Sequence, residues 1–136
     1  MKIVLNKCYG GFGLSEAAMI AYGKLKGLTI YPDNDSIPNY WTIPPEDRSQ
    51  FDKYDWKTAT PEERNFYNEF YTKHTIYCRD IDRTDKDLVS VVESLGESAD
   101  GRHADLRVVE IPDGIDWEIT EYDGIEKVEE IHRSWG

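Results

Sequence analysis

Two cysteines, Cys8 and Cys78, are all the chain contains in 136 residues. That is too few for the disulfide framework on which small secreted domains rely. Each falls in a segment that reads as a strand, where a small, half-apolar side chain packs well. There is no run of about 18 apolar residues, so no membrane span is expected, and the opening "MKIVLNKC" lacks the apolar core of a signal peptide. The expected compartment is therefore the cytoplasm. Basic residues are scarce as well: 16 Lys and Arg stand against 27 Asp and Glu, a net charge of −11. Such a balance opposes direct contact with nucleic acid or an anionic membrane.

Metal motifs are also missing. The chain has no C-x-x-C, no H-E-x-x-H and no acidic loop with calcium spacing, and "DNDS" at 33–36 reads as a turn. Neither a metal nor a cofactor is expected. Acidic groups at Glu121, Asp123 and Glu126 lie close enough to suggest paired carboxylates, but a chain with 27 acids makes such clusters by chance.

What is present describes a folded domain. Hydrophobic residues make up 39% of the chain, with four Trp, nine Tyr and four Phe to anchor a core. The length suits a single domain over residues 1–136. Residues 2–8 read as a buried strand, and a helix follows from Ser15, with Leu14, Ala17, Ala18, Ala21 and Leu25 inward and Gly27 as its left-handed stop. "LTIY" at 28–31 reads as a second strand. Residues 32–59 then hold four of the six prolines and the aromatics Tyr40, Trp41, Phe51, Tyr54 and Trp56, an irregular insertion that is either a lid or a loop pinned to the core.

"TPEER" is the clearest local signal, with Thr60 as N-cap, Pro61 at the first helical position and Glu63 closing a capping box. The helix it starts runs to about 73 and carries Phe66, Phe70 and His74 on one ridge with Tyr67 and Tyr71 beside them, a face expected in the core. A strand over 75–81 follows. Thr84 and Asp87 repeat the capping pattern before Leu88, Val91, Val92 and Leu95, a helix ending at Gly96 or Gly101. A Pro-Asp-Gly turn then joins strands at 106–111 and 115–121 as a hairpin. Ile125, Val128, Ile131 and Trp135 give a short terminal helix, with a further strand as the alternative. The predicted fold is an α+β two-layer sandwich: a mixed sheet of about five strands with three to four helices.

The candidate chemistry centres on "YGGFGLS" at 9–15, a strand, a glycine turn and a helix start in succession. Free N–H groups at a helix start favour an anion, glycines let the backbone approach it, and Ser15 adds a hydroxyl. The alternative is a cramped structural turn. No Lys-Ser or Lys-Thr pair follows the glycines and no G-x-G-x-x-G is completed, so ATP and NAD motifs are not met. Charge favours the same end: residues 1–31 balance at +3, residues 32–78 at −4 and residues 79–136 at −10. Cys8 beside this loop invites a nucleophile reading but has no neighbouring base in sequence, and a strand residue is the alternative. "HRSWG" at the end offers His132, Arg133 and Trp135 for a planar or phosphorylated ligand, unless Arg133 pairs with Glu129 or Glu130.

Through "MKIVLNKCYGGFGLS", "RVVEIPDG", "WEITEYDGIE" and "HRSW" the chain resembles small proteins of tailed bacteriophages and prophages, over the first fifteen residues and most of 79–136 but not over 32–74. No activity is attached to that group, so no catalytic residue carries over. The resemblance implies a setting, the infected bacterial cytoplasm, in which accessory proteins modify or block host machinery. The first reading there is a binding protein that sequesters a nucleotide-derived defence signal or another phosphorylated small molecule. Asn6, Lys7, Gly10, Gly11, Phe12, Gly13, Ser15, Arg79, His132 and Arg133 would hold it while an aromatic of the 40–56 loop stacks a base. The second is an acidic inhibitor of a basic host protein, one that itself binds nucleic acid. A small enzyme acting on a nucleotide comes third, and a homo-oligomer is compatible with each.

Overall fold

The apolar run Ile3-Val4-Leu5 is the spine of the molecule. In the computed structural model, which describes residues 1–131, all three side chains of β1 (Lys2–Asn6) are at most 1% exposed. β1 pairs antiparallel with β5 (Leu106–Glu110), Val4 opposite Val108. α3 (Lys86–Leu95) lies across both strands, and α1 (Glu16–Leu25) lies on α3. The core they enclose contains Val4, Phe12, Leu14, Met19, Leu88 and Val92. Burying one such aliphatic side chain contributes about 2 kcal/mol. This is an α+β fold, with helices stacked over strands.

α1 starts as its sequence demands. The Ser15 hydroxyl accepts from the Ala18 amide at 3.1 Å, and Gly27 takes φ +77° just past the end. Its inward face differs from expectation: Ala18, Met19 and Tyr22 are buried, whereas Ala17 and Leu25 face water. A helix rich in alanine has too little apolar contrast for its stripe to be phased from sequence. For α3 the N-cap is Asp85, which accepts from Asp87 N at 2.8 Å, and not Thr84, which bonds Asp82. Gly96, at φ +56°, ends the helix.

The strands do not form one mixed sheet. Among the described residues every pairing is antiparallel and the strands fall into three small sheets: β1–β5, then β2 (Tyr31–Pro32) with β3 (Tyr40–Trp41) and β4 (Thr75–Ile76), then β6 (Trp117–Tyr122) with β7 (Ile125–Glu130). The strand expected over 28–31 shrinks to two residues, since Pro32 and the acidic turn after it cannot extend a ladder. Of the stretch 75–81 only two residues are strand, and Cys78–Asp80 is a 3-10 turn. Cys78 therefore lies in that turn and Cys8 beyond the end of β1, neither within a strand.

The expected hairpin between 106–111 and 115–121 also resolves differently. β5 joins β1, and β6 turns into β7 through Asp123 and Gly124 at φ +49° and +92°. Two positive φ values at the centre of a two-residue loop are what Asp-Gly provides. The terminal segment is thus a strand as far as Glu130. Trp135 lies outside the described residues.

The 32–59 insertion builds a second, aromatic cluster with α2 (Pro61–His74), whose capping box forms as expected. Trp41 and Phe51 are buried, and Phe51 packs with ring centroids 4.9 Å from both Tyr67 and Phe70. No residue of α2 is fully buried, and Phe66 is 52% exposed. The aromatic ridge of α2 is not part of the main core; it faces its own insertion.

One ion pair ties β7 to β1 and the glycine loop. Arg83 donates to both carboxylate oxygens of Glu126 on β7, at 2.6 and 3.0 Å, and its guanidinium lies 3.6 Å from the ring centroid of Phe12. Glu126 is 5% exposed and also accepts the Asn6 amide at 2.8 Å. Arg83→Met is expected to cost about 3 kcal/mol, because it leaves a buried carboxylate unpaired. Urea denaturation of that variant, set against the double variant Arg83→Met/Glu126→Gln, checks this: the neutral amide still accepts from Asn6 N, so the double change should recover part of the loss.

Candidate functional site

The glycine loop that the sequence offers as an anion cradle is closed over by its own fold. Asn6, fully buried, uses all its side-chain groups: Nδ2 donates to the carbonyls of Cys8 and Gly124, and Oδ1 accepts from Cys8 N and Asp105 N. Lys7 Nζ donates to the Glu126 carbonyl at 2.7 Å. Gly10 N donates to the Asp123 carbonyl at 3.1 Å, so the tip of the β6–β7 hairpin sits where a ligand would. Phe12 is buried beneath Arg83, and its carbonyl accepts from Arg79 Nε at 3.3 Å. The Gly13 carbonyl accepts from Gly101 N at 2.9 Å. The Ser15 hydroxyl donates to Ser98 O at 2.6 Å while capping α1. His132 and Arg133 lie outside the described residues.

The glycines are needed for this closure. A Cβ on Gly124 would come within 2.4 Å of Gly11 N, and one on Gly101 within 2.6 Å of the Gly13 carbonyl carbon. Gly10 and Gly11 themselves adopt φ +116° and +118°. Gly124 thus packs backbone to backbone on Gly10 and Gly11, and Gly101 on Gly13.

The loop has a second side, and there the molecule is open. A cleft of about 570 Å³ lies at the seam between the main body and the aromatic insertion. The body contributes Gly13, Leu14, Ser15 and Glu16, with Asp100 to Arg102; the insertion contributes Ser36 to Tyr40, and Tyr71, Ile76, Tyr77 and Cys78 supply further lining. Tyr40 and Tyr71 are half-buried, while Ile37 and Tyr77, 83% and 55% exposed, stand at the mouth. Three tyrosines thus line a space of the size that small ligands occupy. A hollow of about 610 Å³ beside Lys2 and Glu93 has no aromatic lining and follows a surface ion pair, so it lacks the means to hold a planar group.

The insertion's wall is shaped by Asp33, which accepts from Asn39 N at 3.0 Å, Asn39 Nδ2 at 2.9 Å, Asp35 N at 3.3 Å and Trp41 Nε1 at 3.3 Å. Burial opposes its ionisation, but the hydrogen bonds from Asn39, Asp35 and Trp41 outweigh burial and hold its carboxyl below the ordinary value. Tyr71 Oη donates to Asn39 Oδ1 at 2.7 Å and completes that wall. Sequence reading assigned stacking to an unspecified aromatic of the 40–56 loop, and of those aromatics Tyr40 lines the cleft. It missed Tyr71, Tyr77, Glu16, Asn39 and Asp100 as cleft residues, because only the fold of the insertion brings 36–40 opposite 13–16.

Among the described residues no three metal-ligating side chains converge, and no helix is long and apolar enough to cross a membrane. Comparison with protein-family models, curated proteins and solved structures gives no match.

Gly124→Ala is expected to destabilise the protein by about 2 kcal/mol or more, from positive φ and overpacking together; thermal unfolding measures it. The depressed Asp33 carboxyl stabilises the folded state above its ordinary value of 3.8, and that contribution is lost as pH falls through the lower folded value. Hydrogen exchange at the Asn39 amide should therefore accelerate as pH falls below about 4, beyond the intrinsic pH trend, and Asp33→Asn should remove that dependence.

Proposed function

We propose that this protein is a small-molecule binding module whose ligand, a planar heterocycle of nucleobase type, lies in the cleft between the glycine loop's outer side and the aromatic insertion. One observation carries the reading: Tyr40, Tyr71 and Tyr77 share a cleft of about 570 Å³ with the start of α1. Aromatic faces stack on bases with about 1–3 kcal/mol each, whatever the base. The cleft lies at a seam between two packed clusters, a common position for ligand sites. In the infected bacterial cytoplasm implied by the phage resemblance, such a module would sequester a nucleotide-derived signal of the host. The inward-facing glycine loop does not support a phosphate cradle; the support comes from the cleft.

Saturating ligand at 100 times its dissociation constant should add about 2.7 kcal/mol of stability and raise the melting temperature. With a panel of nucleosides and nucleotides, one class is expected to shift the transition, and Tyr40→Ala to weaken that binding at least tenfold. Cys78 lines the cleft, so in a Cys8→Ser background the bound ligand should slow its alkylation by iodoacetamide. Absence of both effects across the panel would refute the reading.

A second reading, an inhibitor docking on a basic host protein, is favoured by the β6–β7 hairpin. Glu118 and Glu129, both exposed, stand directly opposite each other across the strands. Like charges facing each other across strands cost stability, which a basic partner would offset. Such a partner should bind at low salt, be released near 0.5 M salt, and be lost with Glu118→Gln/Glu129→Gln.

A further inference from the structure

Resting on the binding reading above, we infer that the cleft accepts the uncharged or amine-bearing planar part of its ligand and rejects phosphate. The charged residues lining it are Glu16, Asp100 and Arg102, so the lining is net negative. Three of the groups that the sequence offers to a phosphate are engaged elsewhere, and the one cation in the lining, Arg102, is outnumbered by Glu16 and Asp100. Ser15 caps α1 and bonds Ser98, Lys7 bonds the Glu126 carbonyl, and Arg79 is tied to the Phe12 carbonyl. Asp33 and Asp35, both bonded to Asn39, add negative charge on the insertion side.

The field reaches the stacking surface. The Tyr40 phenol is pushed up from its ordinary value first by burial and then by the negative charges of Glu16 and Asp33. The overall charge of −11 repels a triphosphate before contact. A ring amine, by contrast, finds acceptors. Glu16 is exposed at the cleft with no hydrogen bond or ion pair among the described residues, and Asp100 commits only Oδ1, to Leu106 N. Carboxylates accept from exocyclic amines as they do from any N–H donor.

The test is calorimetric titration of the whole chain with adenosine, AMP and ATP, and with purine riboside, which lacks the exocyclic amine. Adenosine should bind most tightly, with about a tenfold loss from adenosine to ATP at low salt that narrows in 0.5 M NaCl. Purine riboside should bind several-fold more weakly than adenosine, and Glu16→Gln should narrow both gaps while leaving the melting temperature of the free protein close to wild type. Binding of ATP or AMP as tight as that of adenosine, or tighter, would overturn this inference and leave the cleft a binding site. Binding of none of the four, with Cys78 unprotected, would remove the binding reading and this inference together.

Discussion

The buried pair of Arg83 and Glu126 is the constraint on which the arrangement depends. Two charges taken out of water repay their desolvation only if geometry and remaining hydrogen bonds are nearly complete, and here they are. Arg83 gives Glu126 two bonds, gives the Val4 carbonyl a third at 3.3 Å, and covers the Phe12 ring with its flat face. Glu126 in turn takes the Asn6 amide. β1, the glycine loop, the segment before α3 and the terminal hairpin therefore share one set of partners, and none can move without exposing or orphaning a charge.

That knot explains why glycine is concentrated at 10–13. The hairpin tip at Asp123–Gly124 is drawn against the loop until backbone meets backbone, a separation at which any side chain would collide. The same residues that resemble an anion cradle in sequence are used to seat the hairpin. The outer side of the loop is left to face the aromatic insertion, and the open space between the two is the cleft. Site and scaffold are thus two sides of one loop.

The insertion is held by its own aromatic contacts and by Asp33, with Tyr40 packed against the main core. Trp41 and Phe51 gather α2, while Asp33 collects four hydrogen bonds that shape the chain over 33–39. A wall with its own hydrogen bonds can present Tyr40 and Asn39 to a ligand without support from the ligand itself. In the binding reading proposed above, the acidity of its surroundings selects the ligand, since charge acts over distances at which stacking does not.

Local signals were legible from sequence: the Ser15 and Thr60 caps, the Gly27 stop, the Leu88–Val92 face of α3 and the buried run of β1 each depend on neighbours within a few residues. So was the α+β class. The two-residue Asp-Gly turn at 123–124 was legible in principle, but helical spacing of Ile125, Val128 and Ile131 competed with it, and a strand of six residues cannot be separated from a helix by periodicity alone. Strand partners, the Arg83–Glu126 pair across 43 residues and the meeting of 36–40 with 13–16 were decided only by tertiary structure. Local backbone preference is written in adjacent residues, whereas which distant groups share a desolvated space depends on how the whole chain closes.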